Sequence, residues 1–111
     1  MPQLERDSKR AILAALGPRK DWLLLPYPTG LAMHPDTGEP VRYGLPGASD
    51  YVACRSHVIT AADVGRTVGL FVAIEFKSPT GRQRPEQKRF EEAVKARGGI
   101  YVLARKIEDV I

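Results

Sequence analysis

Glu75, Phe76 and Lys77 close the most apolar strand-like run of the sequence. Side chains alternate across a strand, so Glu75 and Lys77 fall on one face and Phe76 on the other, where it is expected to pack. A carboxylate and an ammonium two residues apart then stand where a strand gives way to a loop, a common place for functional groups in open α/β sheets. Asp50 opens another short strand after the flexible segment 44–49. If the two strands are neighbours, Asp50 and Glu75 share a face at one edge. Two carboxylates about 4 Å apart repel by roughly 1 kcal/mol in water and by more at lower effective dielectric. A cation between them removes that cost. Hard oxygen ligands suit Mg²⁺ or Mn²⁺, which bind carboxylates together with water and substrate phosphate. The implied chemistry is metal-assisted attack on a phosphodiester.

Each piece also has a plainer reading. An E-x-K triplet is equally a solvated strand end with a salt bridge worth under about 1 kcal/mol, and Glu86-Gln87-Lys88 repeats the pattern on a helix. Asp50 alone could cap a turn after a Gly/Pro loop. Gln87 lies on the same helical stripe as Phe90 and Val94, so it either hydrogen-bonds a metal-bound water or phosphate or simply marks a helix rim. Glu5 is at helical spacing from Ile12 and Leu16, on an apolar stripe where a charge is unusual without a partner, although a first-turn glutamate also suits the helix dipole. Residues 77–97 hold seven basic and three acidic side chains. Arg82, Arg84 and Lys88 are the candidates for gripping DNA phosphates; the alternative is a solvated basic face. His34 and His57 are read as surface loop residues without a role.

The elements that must position these groups follow from local patterns. Residues 3–16 read as a helix, with Pro2 suited to its start and Gly17-Pro18 to its stop. Residues 21–25 and 50–54 read as short strands. The proline- and glycine-rich stretch 26–48 is a loop or short hairpin with a turn at Thr37-Gly38. Thr60 and Asp63 suggest one capped helical turn closed by Gly65. Residues 68–77 are the clearest strand. Residues 86–97 form a helix begun by Pro85 and ended by Gly98-Gly99, residues 100–105 another strand, and 106–111 a final turn. Strand 68–77, helix 86–97 and strand 100–105 make a βαβ unit, which sets its strands parallel. Runs this apolar suggest cover on both faces, the second supplied by the N-terminal helix. The expected fold is α/β, with a small central mixed sheet of about four strands flanked by helices.

A chain of 111 residues fits one domain, 1–111, able to bury a core. No apolar run approaches the roughly 18 residues of a membrane span, and the charged N-terminus lacks a signal-peptide core. One cysteine, Cys54, forms no internal disulfide and fits a reducing, cytoplasmic setting. One Cys and two separated His give no zinc spacing. The formal net charge of +4 leans toward an anionic partner.

Taken together, the segment 47–50, the strand 71–77, the loop 78–81, Gln87 on the following helix and the segment 59–65 resemble the PD-(D/E)xK nuclease superfamily. More closely, they resemble a standalone, phage-type VRR-NUC domain. The similarity covers most of residues 44–105. Ser49 departs from it, standing where the superfamily usually has proline. The resemblance implies a restriction-endonuclease-like core and a Mg²⁺- or Mn²⁺-dependent endonuclease. It implies Asp50, Glu75, the backbone carbonyl of Phe76 and Glu5 about the metal, with Lys77 activating the attacking water and Gln87 assisting. It further implies DNA as substrate, branched or four-way (Holliday) junctions in particular, a role in DNA repair, a homodimer, and the host cytoplasm as location for a phage-encoded chain. The rival readings are a non-catalytic nucleic-acid-binding module on the same fold and a small protein-interaction domain.

Overall fold

The computed structural model describes residues 3–111; Pro2 lies outside the described residues. Its elements run, in chain order, α1 (Gln3–Leu16), β1 (Trp22–Pro26), β2 (Gly30–Met33), β3 (Pro40–Tyr43), β4 (Tyr51–Arg55), a 3₁₀ turn at Ala61–Asp63, β5 (Val72–Phe76), α2 (Pro85–Ala96), β6 (Ile100–Ala104) and a second 3₁₀ turn at Ile107–Asp109. The class is mixed α/β. The chain divides into two compact units, one of residues 1–23 and 54–111, the other of residues 24–53.

In the first unit, β5 and β6 run parallel, with Val72 opposite Ile100, Glu75 opposite Leu103 and Phe76 opposite Ala104. Parallel neighbours need a crossover, and α2 supplies it. Pro85 occupies the first turn of α2, where a missing N–H costs nothing. At the other end Gly98 takes φ +85°. Its N–H bonds to the Lys95 carbonyl, and the Gly99 N–H to the Val94 carbonyl. These are the paired bonds of a Schellman ending. Val94 is fully buried, and Cys54 and Ala104 nearly so. A Cβ on Gly99 would come within 2.7 Å of Val94 Cγ1 and 3.3 Å of Cys54 Sγ, so glycine is what lets β6 begin this close to the end of α2. Arg97 ties the helix end to the chain before it, donating from Nε to the Trp22 carbonyl, while Ser56 Oγ donates to the Arg97 carbonyl.

In the second unit, β2 and β3 form an antiparallel hairpin in the proline- and glycine-rich stretch. Its connection is held by His34, whose Nδ1 accepts from the N–H groups of Asp36 and Thr37, and by Gly38 at φ +71°. The expected turn is therefore present, and His34 has a structural role that its surface position alone did not reveal.

Three fold expectations are corrected. The strands make three two-stranded sheets, β1 with β4, β2 with β3 and β5 with β6, in place of one sheet of about four. β4 pairs with β1, so it is not the hydrogen-bonded neighbour of β5. No residue of α1 is buried, with Leu4 and Ile12 both exposed, so α1 does not seal the second face of the β5–β6 pair. One crossover helix covers one face. Val72, Ile74 and Phe76 on the other remain exposed, and Phe76, expected to pack, is 79 % accessible.

Candidate active site

Glu75 lies on the half-buried side of β5, in the alternation Ala73, Glu75, Lys77 that faces away from Val72, Ile74 and Phe76. It lines a cavity of about 330 Å³ with Ala73, Ile74, Glu86, Gln87, Phe90 and Tyr101. Glu75 and Gln87, singled out from sequence on separate grounds, are thus brought together. Glu75 Oε2 is buried without any hydrogen-bond partner. A buried acceptor left unpaired costs about 1–3 kcal/mol, more when charged, so this oxygen is the place in the cavity where a cation or a donor would be most favourable.

Tyr101 forms the floor, from the β6 position opposite Ala73. Burial raises the phenol pKa above its ordinary value, against an opposing hydrogen bond from Gln83, and both the negative charge of Glu75 and a side-chain hydrogen bond with it add to the rise. Gln83 Nε2 bridges Tyr101 Oη at 3.2 Å and Glu91 Oε1 at 3.0 Å. Glu91 is in turn held below the usual carboxylate range, first by Lys95 and then by Gln83. Phe90 meets Tyr101 edge to face. The floor is therefore fixed by a chain of polar and aromatic contacts running from the loop into α2. Sequence reasoning missed Tyr101 and Gln83; the signal for Tyr101 was its two-residue phase with Leu103 on the face that α2 covers.

Gln87 has less freedom than expected. Its Oε1 accepts the Arg84 N–H at 2.9 Å, capping α2 at the third helical position. Its amide NH₂ is left as the group available to a ligand. Lys77 is half-buried, and its backbone N–H continues the sheet by bonding the Ala104 carbonyl. Lys77 does not line the Glu75 cavity; it lines a second groove, with Phe76, Ser78, Ala104, Arg105, Lys106, Ile107 and Val110. Among the described residues neither Glu75 nor Lys77 forms an ion pair, so the plain salt-bridge reading of the triplet does not hold.

Asp50 belongs to the other compact unit. It is exposed at the residue before β4, where its carbonyl accepts the Tyr27 N–H. Glu5 is exposed on α1. Arg82, Arg84 and Lys88 are exposed around the start of α2, with Arg84 Nε 3.3 Å from Glu86 Oε1. His57 is the partner of a different carboxylate. Its Nε2 lies 2.9 Å from Asp63, which also accepts from the Thr60 N–H and from Arg66. These bonds, that of Thr60 first, hold the Asp63 carboxyl below the usual range and fix the short 3₁₀ turn.

Among the described residues no group of three or more His, Cys, Asp or Glu side chains gathers as a metal cage would. Mg²⁺ does not require one, since it is commonly held by one or two carboxylates with water and phosphate. The unpartnered oxygen of Glu75 fits one such ligand. No protein family matches this chain, and no curated protein or solved structure is significantly similar to it. No described helix is long and apolar enough to cross a membrane.

Proposed function

We propose that the chain is a Mg²⁺- or Mn²⁺-dependent deoxyribonuclease with a restriction-endonuclease-like core, hydrolysing phosphodiester bonds of branched or four-way-junction DNA as a cytoplasmic homodimer in DNA repair. The observation that carries the reading is the buried, unpartnered Oε2 of Glu75, at the end of a parallel strand and beside Gln87. The resemblance of the sequence to VRR-NUC nucleases and the parallel β5–α2–β6 unit support it as well. In this reading Glu75 and the Phe76 carbonyl hold the cation, and the ligand roles of Asp50 and Glu5 rest on the resemblance alone. When bound, the cation polarises the phosphoryl oxygens and lowers the pKa of a coordinated water. Lys77 supplies a fixed positive charge for the developing negative charge, and the Gln87 NH₂ orients water or phosphate. Arg82, Arg84 and Lys88 bind flanking phosphates and position the strand.

A second reading, a nucleic-acid-binding module without catalysis, has one observation in its favour. Arg82, Arg84 and Lys88 are exposed together around one helix start, a charge pattern that needs no catalytic carboxylate. End-labelled duplex, flap and four-way DNA, incubated with Mg²⁺, with Mn²⁺ and with EDTA, separates the two. Cleavage that requires the cation and is fastest on the four-way substrate is expected. Binding without cleavage under every condition would leave the module reading in place.

A further inference from the structure

The ring of Phe76 is the most exposed aromatic side chain of the described residues, at 79 %, and its surroundings are not those of a random surface phenylalanine. It forms one wall of a groove of about 540 Å³ whose other apolar surfaces are Ala104, Ile107 and Val110. The charged groups lining this groove are Lys77, Arg105 and Lys106, all cationic. Arg105 is fixed in place, donating from Nη1 to the Ser78 carbonyl at 2.6 Å. Its backbone N–H and that of Lys106 both donate to Asp109 Oδ2. That carboxylate is thereby turned toward the backbone of the 3₁₀ turn, and the cationic side chains are left to the groove.

A bare aromatic face next to an all-cationic, partly apolar groove matches one kind of partner closely. A nucleotide of a single strand has a flat apolar base and a charged phosphate, and proteins that bind single strands pair stacking aromatics with basic grooves. A purely apolar partner would leave three cations to be desolvated, and a small inorganic anion would leave the ring and the apolar wall unused. We propose that this groove holds an unpaired nucleotide of a nucleic-acid strand, its base stacked on Phe76 and its phosphate between Lys106 and Arg105. The inference rests on the nucleic-acid reading of the preceding subsection but concerns a groove distinct from the Glu75 cavity. It assigns to unpaired bases, such as those at a branch point, a contact that an intact duplex does not offer.

The test is fluorescence anisotropy with three labelled probes in EDTA, so that nothing is cut: a twelve-nucleotide oligothymidylate, an abasic strand of the same length, and a duplex. Phe76→Ala should weaken oligothymidylate binding roughly 5- to 150-fold, the range for loss of one stacked base, and leave the abasic strand within about twofold. Phe76→Trp should restore affinity. Lys106→Ala should lower the log–log salt slope for single strands by about 0.7. Equal binding of oligothymidylate by wild type and Phe76→Ala, with the salt slope still responding to Arg82→Ala/Arg84→Ala, would overturn the stacking site while leaving the nucleic-acid reading intact. No binding of any probe by the wild-type protein would overturn both. A change of mass by light scattering in Phe76→Ala without a change in strand affinity would make the ring part of a contact between copies of the chain, and would also overturn the proposal.

Discussion

The two faces of the β5–β6 pair are built from the same strands and differ in almost every physical respect. On one face α2 lies across Ala73, Glu75 and Tyr101, and Val94 behind them is wholly buried. On the other, Val72, Ile74, Phe76 and Ile100 stand exposed although each is apolar. The covered face therefore carries the packing energy, and it also holds a carboxylate oxygen without a partner. The open face carries little packing energy and presents its apolar groups beside cations. Packing fixes Glu75 beside Tyr101 while leaving its Oε2 unpaired, which is how a ligand for a cation differs from a solvated surface acid. A ring that packs against nothing is available to whatever binds there.

The largest expected effect lies on the covered face. Glu75→Ala should reduce cleavage by more than about 100-fold, beyond what is typical for groups that only support a metal ligand, and Lys77→Ala should do so while keeping most of the Mn²⁺ affinity. Cleavage assays paired with metal titration check both; a Lys77→Ala protein cutting at the wild-type rate would remove the lysine from the mechanism. Next comes stability. Val94→Ala should cost about 2 kcal/mol by leaving a cavity, and Gly99→Ala about 1–3 kcal/mol by forcing a Cβ against Val94. Phe76→Ala on the open face should change stability by no more than about 0.5 kcal/mol. Urea unfolding midpoints measure all three, and a Phe76→Ala cost as large as that of Val94→Ala would mean the open face is covered after all.

A smaller effect concerns pH. The Tyr101 pKa is raised, by burial first and by Glu75 next. A raised pKa favours the protonated phenol in the folded state. The associated stability is therefore fully present below the unfolded value of about 10 and is lost as pH rises through the folded value. In ultraviolet titration, the component that Tyr101→Phe removes should shift down in Glu75→Gln. An unmoved midpoint would mean that the carboxylate does not act on the ring.

Much of this arrangement was legible in the sequence. The near-continuous apolar runs marked β5 and β6, Pro85 and Gly98-Gly99 bracketed α2, and the crossover made the strands parallel, because each of these signals is local. What was not legible depended on tertiary pairing. Assigning Phe76 to the packed face assumed a helix on both sides of the sheet, but α1 buries none of its apolar residues fully, Leu13 and Leu16 being only half-buried. The neighbour relation assumed for the strand after Asp50 failed because β4 finds β1 in place of β5. Gln87 was correctly placed near Glu75, but its capping bond to Arg84 depends on a helix start that begins one residue earlier than the pattern suggested. Tyr101 escaped notice because a tyrosine in an apolar strand looks like core until the carboxylate beside it in the cavity is known.

The central claim is that the free oxygen of Glu75 is a cation ligand. Isothermal titration of Mn²⁺ into wild type and Glu75→Gln, with circular dichroism to verify that both are folded, tests it directly. Glutamine keeps the shape and one carbonyl oxygen but removes the charge. The account predicts saturable binding by wild type and at least a tenfold loss in Glu75→Gln. Equal affinity in the two proteins, or no binding by wild type, would contradict it.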